Sequence, residues 1–341
     1  MSHIFLDAAF GKPTPRPPVW MMRQAGRFMK EYWDIKNRYS FMEMCKTPEL
    51  ATEVTLLPVN LLKTDAAIMF SDILVTAEAM GGQLTFANGV GPVFANPVRN
   101  KQDIENLIIP DVEISLAYVK DMIKMVKIEL NNKLPLIGFA GAPFTVMSYL
   151  VEGKSSKDFK LTKLFIHNQP ALAHILLQKI ADVTVDYLNM QIAAGVDAVQ
   201  LFDSWALALS WDDYKEFSHQ YNVQIISRLT RNNIPVISFC KGSSVFAPLM
   251  AESKPDVISV DWNADLLTIK KLLPKNIAVQ GNLDPHILYA DKGVIKKRIH
   301  KLFEDMRGEN GFIFNLGHGI MPDIPFENVQ YAFEVVREFE Y

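Results

Sequence analysis

Runs of apolar residues that end on a polar side chain recur along this sequence, and they constrain its fold more than any other feature. The run Ala66–Leu74 has five consecutive apolar residues before Ser71 and Asp72, without the spacing of an amphipathic helix, which predicts a strand buried on both faces. α/β enzymes commonly place chemistry at the carboxyl end of such a strand. A single aspartate there more often caps a turn, so only the recurrence of such polar strand ends along the chain indicates a site.

Eight runs of this kind, most of them separated by helical stretches, favour a single-domain α/β fold of the (β/α)8 barrel type over a doubly wound sheet. The expected architecture is a (β/α)8 TIM-type barrel, in which the carboxyl ends of all strands meet at one active-site cleft. The predicted strands are Val19–Met22, Ala66–Leu74, Pro135–Gly141, Ala198–Ser204, Val236–Cys240, Val257–Asp261, Ile277–Asn282 and Gly311–His318. Their ends carry Arg23, Asp72, Ser204, Lys241, Asp261, Asn282 and His318.

The segments between the strands divide into an arm, helices and one hairpin. Residues 1–17 are proline-rich at their end and predict a loosely held N-terminal arm, with the barrel domain over residues 18–341. The glycines and prolines of residues 81–100, which include Gly89, predict a hairpin-like excursion of the chain from the barrel. Helices are expected over Thr47–Leu62, Ser115–Leu130, Pro170–Ala194 and Ser210–Arg231, with Pro58 kinking the first and Gly195 ending the third.

Composition limits the class of protein. The 341 residues are 49% hydrophobic and 21% charged, with 35 Lys and Arg against 38 Asp and Glu, and the resulting net charge of −3 argues against non-specific nucleic-acid binding. No apolar run approaches the ~18 residues of a membrane span, and the N-terminus lacks the features of a signal peptide. Two cysteines, Cys45 and Cys240, provide no disulfide framework. We expect a cytoplasmic protein without a membrane partner.

Two side-chain arrangements point to an anionic ligand in the cleft. Arg23 and Arg27 are four residues apart around Gly26 with no acid between them, so an anion would relieve their mutual repulsion. His318 lies between two glycines at a strand end, where a ligand could reach it. The seven histidines show no metal-binding spacing, and neither a phosphate loop nor a dinucleotide fingerprint is present. Ser204 lacks the elbow of a hydrolase nucleophile.

Long motifs in the same order make the chain similar to one enzyme family over nearly its whole length. The chain resembles the uroporphyrinogen decarboxylase family. The motifs that carry the resemblance are Pro18–Arg27, Phe70–Leu74, Gly138–Thr145, Tyr149 with Glu152 and Gly153, Phe202–Trp205, Gln280–Pro285 and Asn315–Gly319.

The resemblance implies a homodimeric (β/α)8 barrel that removes the four acetate carboxyls of uroporphyrinogen III. The product is coproporphyrinogen III, an intermediate of haem and tetrapyrrole synthesis, and neither a metal nor a cofactor is implied. By the matching motifs, Arg23 and Arg27 would bind substrate carboxylates and Asp72 would lie under the macrocycle. Tyr149, Ser204 and His318 would line the cleft.

The chain departs from the family pattern at several positions. Lys30 stands where the family usually has proline, Lys36 falls near a further family arginine, and Leu207 replaces a glycine. Ile324 and Phe326 replace residues of a Thr-Pro-Pro-like tail, and Lys154–Ser156 replaces a glycine-rich tract. These changes bear on carboxylate binding and on the mobility of the loops around the cleft.

The residue types suit a decarboxylation in which the substrate is its own electron sink. Protonation of the pyrrole carbon beside the acetate-bearing carbon gives a cationic ring that can accept the electrons of the departing carboxyl group. Asp72, an acceptor-only anion, could collect the pyrrole N–H groups and stabilise that cation. The proton donor stays open among Arg27, which is a poor acid, His318, which has a suitable ordinary pKa, and Tyr149.

Two other functions remain as alternatives. A corrinoid-linked methyltransferase of a related barrel family would need a zinc site of the His-x-Cys type, whereas Cys240 has Ser238 two residues before it. A tetrapyrrole-binding protein that has lost catalysis is the other, and the intact Arg23, Arg27, Asp72 and Tyr149 argue against it.

Overall fold

A parallel sheet of seven strands forms the centre of the structure, a computed structural model that describes residues 3–87 and 91–340. The sheet has the order β1-β4-β5-β6-β7-β8-β9, and β2 and β3 pair antiparallel beside it. Gly89 of the predicted excursion lies outside the described residues, but the hairpin on either side of it is confirmed. The strands are β1 (Ala67–Ile68), β2 (Leu84–Ala87), β3 (Gly91–Phe94), β4 (Leu136–Gly141), β5 (Ala198–Asp203), β6 (Val236–Cys240), β7 (Val257–Ser259), β8 (Ala278–Leu283) and β9 (Phe312–Leu316).

Seventeen α-helices lie in the described residues, and many of them cover the outer face of the sheet. The predicted helix Pro170–Ala194 is confirmed with Gly195 in the left-handed conformation at its end. The helices are α1 (Ile4–Ala9), α2 (Lys30–Lys36), α3 (Phe41–Lys46), α4 (Pro48–Leu62), α5 (Val75–Ala79), α6 (Lys101–Asn106), α7 (Val112–Ser115), α8 (Ala117–Leu130), α9 (Pro143–Glu152), α10 (Lys160–Asn168), α11 (Pro170–Ala194), α12 (Trp211–Tyr214), α13 (Gln220–Arg228), α14 (Ser243–Glu252), α15 (Leu266–Leu272), α16 (Lys292–Asp305) and α17 (Phe326–Arg337).

The parallel strands are buried because their side chains pack against helices on the outer face of the sheet and against one another on its inner face. Every residue of β4, β5, β6, β7, β8 and β9 is buried. Parallel sheets of this kind need helices on their outer face, and the helices between successive strands supply them.

Polar side chains on the inner face show that the sheet is curled. The Gln280 amide of β8 donates to the Gln200 carbonyl oxygen of β5 over 3.3 Å and to the Ser259 hydroxyl over 3.0 Å. Strands β5 and β8 are three strand spacings apart, or about 14 Å along a flat sheet. Their side chains meet because the sheet bends around them, and the Trp20 indole N–H closes the group by donating to Gln280 over 2.9 Å.

The predicted strand Val19–Met22 is present as one bridging residue. Val19 pairs in parallel with Phe314 of β9, and the Asp65 N–H before β1 donates to the Val19 carbonyl over 2.8 Å. The pairing is short because Pro18 has no N–H to donate and because the Met22 N–H donates to the Asn315 side chain instead of to a strand. The structure therefore establishes a curled α/β sheet of seven parallel strands.

The predicted strand Ala66–Leu74 is also shorter than expected, and this places Asp72 in a loop. Strand pairing ends as the Met69 N–H donates to the Ile137 carbonyl, and the next N–H, that of Phe70, donates to the Thr55 hydroxyl over 2.9 Å. The Thr55 side chain, buried on α4, thus accepts the hydrogen bond that a neighbouring strand would otherwise accept. The chain then turns into the space above the strand ends.

The N-terminal segment is held more firmly than the predicted arm. Phe5, Ala8 and Ala9 of α1 are fully buried, and Gly11 packs against Gly311 at the start of β9. The Arg16 guanidinium forms two hydrogen bonds with the Asp65 carboxylate, of 2.7 and 2.8 Å. The prediction of a loose arm is wrong because apolar residues of a short helix cover the sheet near its amino ends.

The predicted helix Ser210–Arg231 is interrupted. Ser210 accepts from the Asp213 N–H over 3.2 Å as an N-cap, and α12 then passes into a π-helical turn over Lys215–His219 before α13. Single π-turns inside helices are frequent near functional sites.

Candidate active site

A cleft of about 1330 Å³ opens above the carboxyl ends of β1, β4 and β5. Five of the six predicted site residues line it: Arg23, Arg27, Asp72, Tyr149 and Ser204. They come from four separate parts of the chain, which the sheet brings together. His318 is not among the lining residues.

The described lining of the cleft carries four cations and one acid. The cations are Arg23, Arg27, Lys36 and Arg38, and the acid is Asp72. The chain as a whole has a net charge of −3, so the positive charge of the cleft is a local property. A site of this kind attracts a ligand with several negative charges.

Aromatic and apolar side chains form the walls of the cleft. Phe41 packs against Phe70 at 5.7 Å and against Phe86 of the β2–β3 hairpin at 4.7 Å between ring centroids. The hairpin is fixed to the end of α9, because the Phe94 N–H donates to the Gly153 carbonyl over 2.8 Å. The charged groups thus stand in a largely apolar frame, which suits a ligand with an apolar body and several acidic groups.

The backbone at Arg23 is held in a left-handed conformation, with φ of 65°. Gln24 fixes this turn, since its side chain accepts from the Met21 N–H and donates to the Ala66 carbonyl, both over 3.1 Å. The Arg23 side chain lies so close to Gly319 that a Cβ there would come within 2.3 Å of its Cδ. The glycine is therefore required for the arginine to reach the cleft.

Burial lowers the pKa of Arg23, and the neighbouring Arg27 guanidinium lowers it further. Tyr149 and Asp72 act in the opposite direction. Part of the Arg23 side chain faces the solvent of the cleft although protein surrounds it on most sides. A bound anion that displaces this solvent would restore the preference for the charged guanidinium.

Burial raises the pKa of Asp72 to about 6, and Glu78 adds to this rise. The Leu74 N–H, which donates to Oδ1 over 2.8 Å, and the Arg23 guanidinium both favour the carboxylate. Within the described chain Oδ2 has no hydrogen-bond partner, which leaves it free to accept from a ligand. With a pKa of about 6 the group is mainly ionised at neutral pH.

Tyr149 and His318 are both neutral at neutral pH. Burial, followed by Asp72, raises the pKa of Tyr149, and its ring lies 5.9 Å from Trp205. Burial lowers the pKa of His318 to about 3, and the cations Arg23 and Lys241 lower it further. An imidazole with that pKa is neutral at pH 7 and is therefore not a general acid there, although its one ring N–H can still donate a hydrogen bond.

The other polar strand ends hold loops instead of lining the cleft. Asp261 accepts from the Gly242 N–H over 2.7 Å, and the Asn282 amide donates to the Asp261 and Ala264 carbonyls over 2.9 and 2.8 Å. The sequence pattern alone does not separate these residues from Asp72, because both kinds follow buried strands.

Arg38 is a cleft cation that the sequence analysis missed. Its Nε donates to the Asp34 carbonyl over 2.9 Å, which holds the guanidinium at the rim. The run Lys36-Asn37-Arg38 at the end of α2 is the sequence feature that indicates it. Lys36, which falls near a family arginine, also lines the cleft.

The remaining departures from the family pattern lie outside the described lining of the cleft. Leu207 packs against Gly242, Phe326 stacks on Phe28 at 6.2 Å, and Ile324 is buried. Lys30 is exposed at the start of α2. Lys154 pairs with Val93 of the hairpin in an antiparallel bridge, so the Lys154–Ser156 segment contributes to the hairpin wall.

Metal-ligating side chains are not grouped in the part of the chain that the structure describes. No three His, Cys, Asp or Glu residues there are close enough to hold an ion. Cys240 is buried, and its thiol donates to the Lys241 carbonyl over 3.5 Å. Among the described helices, none is both long and apolar enough to cross a membrane.

The fold and the cleft define a class: an α/β protein with a curled parallel sheet, whose site at the strand ends is built for a polyanionic ligand. The sequence profile described as Uroporphyrinogen decarboxylase (URO-D) matches residues 2–339. The chain belongs to the uroporphyrinogen decarboxylase family.

Relatives and solved structures agree with this assignment. The chain is 47% identical over 337 residues to the uroporphyrinogen decarboxylase of Pelobacter propionicus. The aligned region covers 99% of this chain and 98% of the relative. The chain is 49% identical to that of Protochlamydia amoebophila, over 98% and 91% of the two chains. A methyltransferase from Methanosarcina mazei superposes with a TM-score of 0.82 at 21% identity, over 98% and 97% of the chains, which shows a shared fold.

Proposed function

We propose that this chain decarboxylates the four acetate side chains of uroporphyrinogen III, giving coproporphyrinogen III for tetrapyrrole and haem synthesis, without a metal or cofactor. The observation that carries the proposal is the cleft itself. It has one acid, Asp72, in its described lining, four cations, and a volume of about 1330 Å³. The substrate has a centre of four N–H donors and a rim of eight carboxylates, so its charges match those of the cleft.

Asp72 supplies the acceptor at the centre. Its free Oδ2 can accept pyrrole N–H groups when the flexible macrocycle domes over it. A ring that becomes cationic donates more strongly, so the interaction grows towards the transition state. The substrate N–H groups also favour the carboxylate and would lower the pKa of Asp72 from about 6 on binding.

Each decarboxylation then consumes one proton. Protonation of the pyrrole carbon beside the acetate-bearing carbon makes the ring cationic, and the bond to the carboxyl group breaks with its electron pair moving into the ring. Carbon dioxide leaves, the exocyclic methylene carbon takes up a proton, and the ring carbon releases its own. The product carries a methyl group, and the same cleft can act on the next acetate.

The cations of the cleft bind the peripheral carboxylates. The arginines Arg23 and Arg27 offer planar forks for bidentate pairing, and Lys36 and Arg38 add charge at the rim. Among the proton-donor candidates, His318 is disfavoured by its pKa of about 3. Arg27, which is a poor acid, and Tyr149 stay as the candidates for the proton donor.

Several finer features belong to the same proposal. Val19–Met22 closes the curled sheet into an eight-stranded barrel, for which the Val19–Phe314 bridge gives support. Residues 18–341 form one catalytic domain of a cytoplasmic protein. The active form is a homodimer, as the family resemblance implies.

Product analysis tests the proposal. The purified protein is incubated anaerobically with uroporphyrinogen III, and the products are oxidised and separated by chromatography. We expect porphyrins with seven, six, five and finally four carboxylates to appear in succession. A well-folded protein that binds the substrate but releases no decarboxylated product would support the alternative of a tetrapyrrole-binding protein.

A further inference from the structure

Behind the cleft wall lies a buried carboxylate that the proposed mechanism does not use. Asp203, the last residue of β5, is 1% exposed and has no ion-pair partner among the described residues. Its Oδ1 accepts from the Thr145 hydroxyl over 2.7 Å. Its Oδ2 accepts from the Ser218 hydroxyl, and the Asn222 amide lies 3.5 Å from the same oxygen.

Thr145 connects this carboxylate to the cleft. Its hydroxyl oxygen also accepts from the Trp205 N–H over 3.1 Å. Thr145 therefore fixes the backbone directly after Ser204, which lines the cleft. Thr145 is also one helical turn before Tyr149 on α9, and the two rings of Tyr149 and Trp205 are in contact.

We propose that Thr145 and Asp203 are positioning residues that hold Tyr149 and Ser204, which come from different elements, against the same substrate. A buried carboxylate without a cation is costly for folding, so stability alone does not account for Asp203 at this position. Ser218 lies in the π-helical turn that interrupts the α12–α13 segment, and it joins that turn to the same carboxylate. The proposal rests on the proposed function, since it assigns a role in substrate placement.

The test compares Thr145→Val with Thr145→Ser. Valine keeps the shape but removes the hydroxyl that joins Asp203 to Trp205, whereas serine keeps that hydroxyl. Small misplacements of reacting groups cost up to about 100-fold in rate. We expect kcat per folded molecule to fall roughly 10–100-fold for Thr145→Val, and Thr145→Ser to remain within about threefold of the unmodified protein.

Two further variants separate positioning from folding. Thr184→Val is the matched control, because Thr184 is fully buried on α11 and its hydroxyl has no partner among the described residues; its kcat should not change. Asp203→Asn keeps the acceptor for Thr145 but perturbs the other bonds, so it should fold and show a lower kcat with an unreduced melting temperature.

The outcomes are distinguishable from failure of the proposed function. If the unmodified protein releases no decarboxylated product, the function is wrong. If the unmodified protein is active and Thr145→Val retains its kcat, the positioning role is overturned. Equal losses for the serine and valine variants, or a loss that only follows the folded fraction, would also overturn it.

Discussion

At the scale of the residue, Asp72 shows a conflict between folding and function. Burial raises the pKa of its carboxyl to about 6, so the folded protein holds the anion at a cost. One oxygen accepts from the Leu74 N–H, and the other has no hydrogen-bond partner in the described chain, although the residue lines the cleft. The group is expensive without substrate and is satisfied when N–H donors arrive, which is the arrangement expected of a transition-state stabiliser.

Replacing Asp72 should therefore reduce catalysis more than binding. Asp72→Asn keeps the shape but presents amide hydrogens to the pyrrole N–H groups, and we expect kcat to fall roughly 10²–10³-fold. Asp72→Glu keeps the charge and should retain partial activity. Turnover is measured by product chromatography beside a thermal melt. A folded Asp72→Asn protein with unchanged kcat would remove Asp72 from the mechanism.

The same substitution should stabilise the fold in a pH-dependent way. The folded pKa of Asp72, about 6, lies above the unfolded value of 3.8, so the cost of ionisation grows as pH rises from 3.8 to 6 and is complete above that. We expect the free energy of unfolding of Asp72→Asn at pH 8 to exceed that of the unmodified protein by about 1–3 kcal/mol, because part of the side chain faces solvent. Below pH 4 the free energies of unfolding of the two proteins should be equal. Urea titrations at pH 8 and below pH 4 measure both. A stabilisation of Asp72→Asn that is the same at both pH values would contradict the raised pKa of Asp72.

Arg23 depends on the geometry of its guanidinium as well as on its charge. Arg23→Lys retains a cation but loses the planar fork, so KM should rise by about tenfold, or ~1.4 kcal/mol of binding. Steady-state kinetics measure the change. Lys30→Arg, an exchange of the same charges at an exposed position outside the described cleft lining, is the control and should leave KM unchanged. An unaltered KM for Arg23→Lys would place the side chain outside the substrate contacts.

The sequence predicts which residues reach the cleft better than it predicts their protonation. Arg23, Asp72 and Tyr149 were identified from strand ends and motifs, and the structure brings them together. The low pKa of His318 depends on burial and on two cations distant in sequence, so it cannot be read from the ordinary value of histidine. The hydrogen-bond partners of Asp203 could not be predicted from the sequence either, because they come from two other helical segments.

At the scale of the element, apolar runs predict the existence of strands but not where pairing stops. The runs at β4 to β9 are confirmed within a few residues, and α11 begins and ends where predicted. β1 has only two residues, because the Thr55 hydroxyl accepts from the Phe70 N–H that follows it. Val19 makes a single bridge, because the Asn315 side chain accepts from the Met22 N–H. A hydrophobic pattern gives no indication of where a side chain will take the place of a strand as the hydrogen-bond partner of the backbone.

Asp65 ties the first segment of the chain to the sheet and should be sensitive to mutation. Its carboxylate accepts two bonds from Arg16 and a 2.7 Å bond from the Val19 N–H, while its own N–H donates to the Val19 carbonyl. Asp65→Ala leaves a largely buried guanidinium and an N–H unpaired, so we expect a loss of about 2–4 kcal/mol in the free energy of unfolding.

Denaturant titration of Asp65→Ala should be set against Glu105→Ala. Glu105 forms an exposed pair with Lys101 at 3.4 Å, and its loss should cost no more than about 0.5 kcal/mol. Similar stabilities for the two variants would mean that the Val19 segment is held by its apolar contacts alone.

At the scale of the whole molecule, charge is separated between the cleft and the rest of the surface. The chain has a net charge of −3, yet the described lining of the cleft has four cations and one acid. The curled sheet makes this separation possible by collecting loops that are up to 300 positions apart in the chain, from Met22 to Pro322. The central claim is that these side chains and the substrate suffice for the decarboxylation.

The most direct test is the initial rate of uroporphyrinogen III decarboxylation by protein that has been treated exhaustively with chelator and freed of small molecules by gel filtration under denaturing and refolding conditions. We predict the same rate per folded molecule as for untreated protein, with no increase on adding zinc, another divalent metal or a corrinoid. A folded, treated protein that regains activity only when one of these is added would contradict the account.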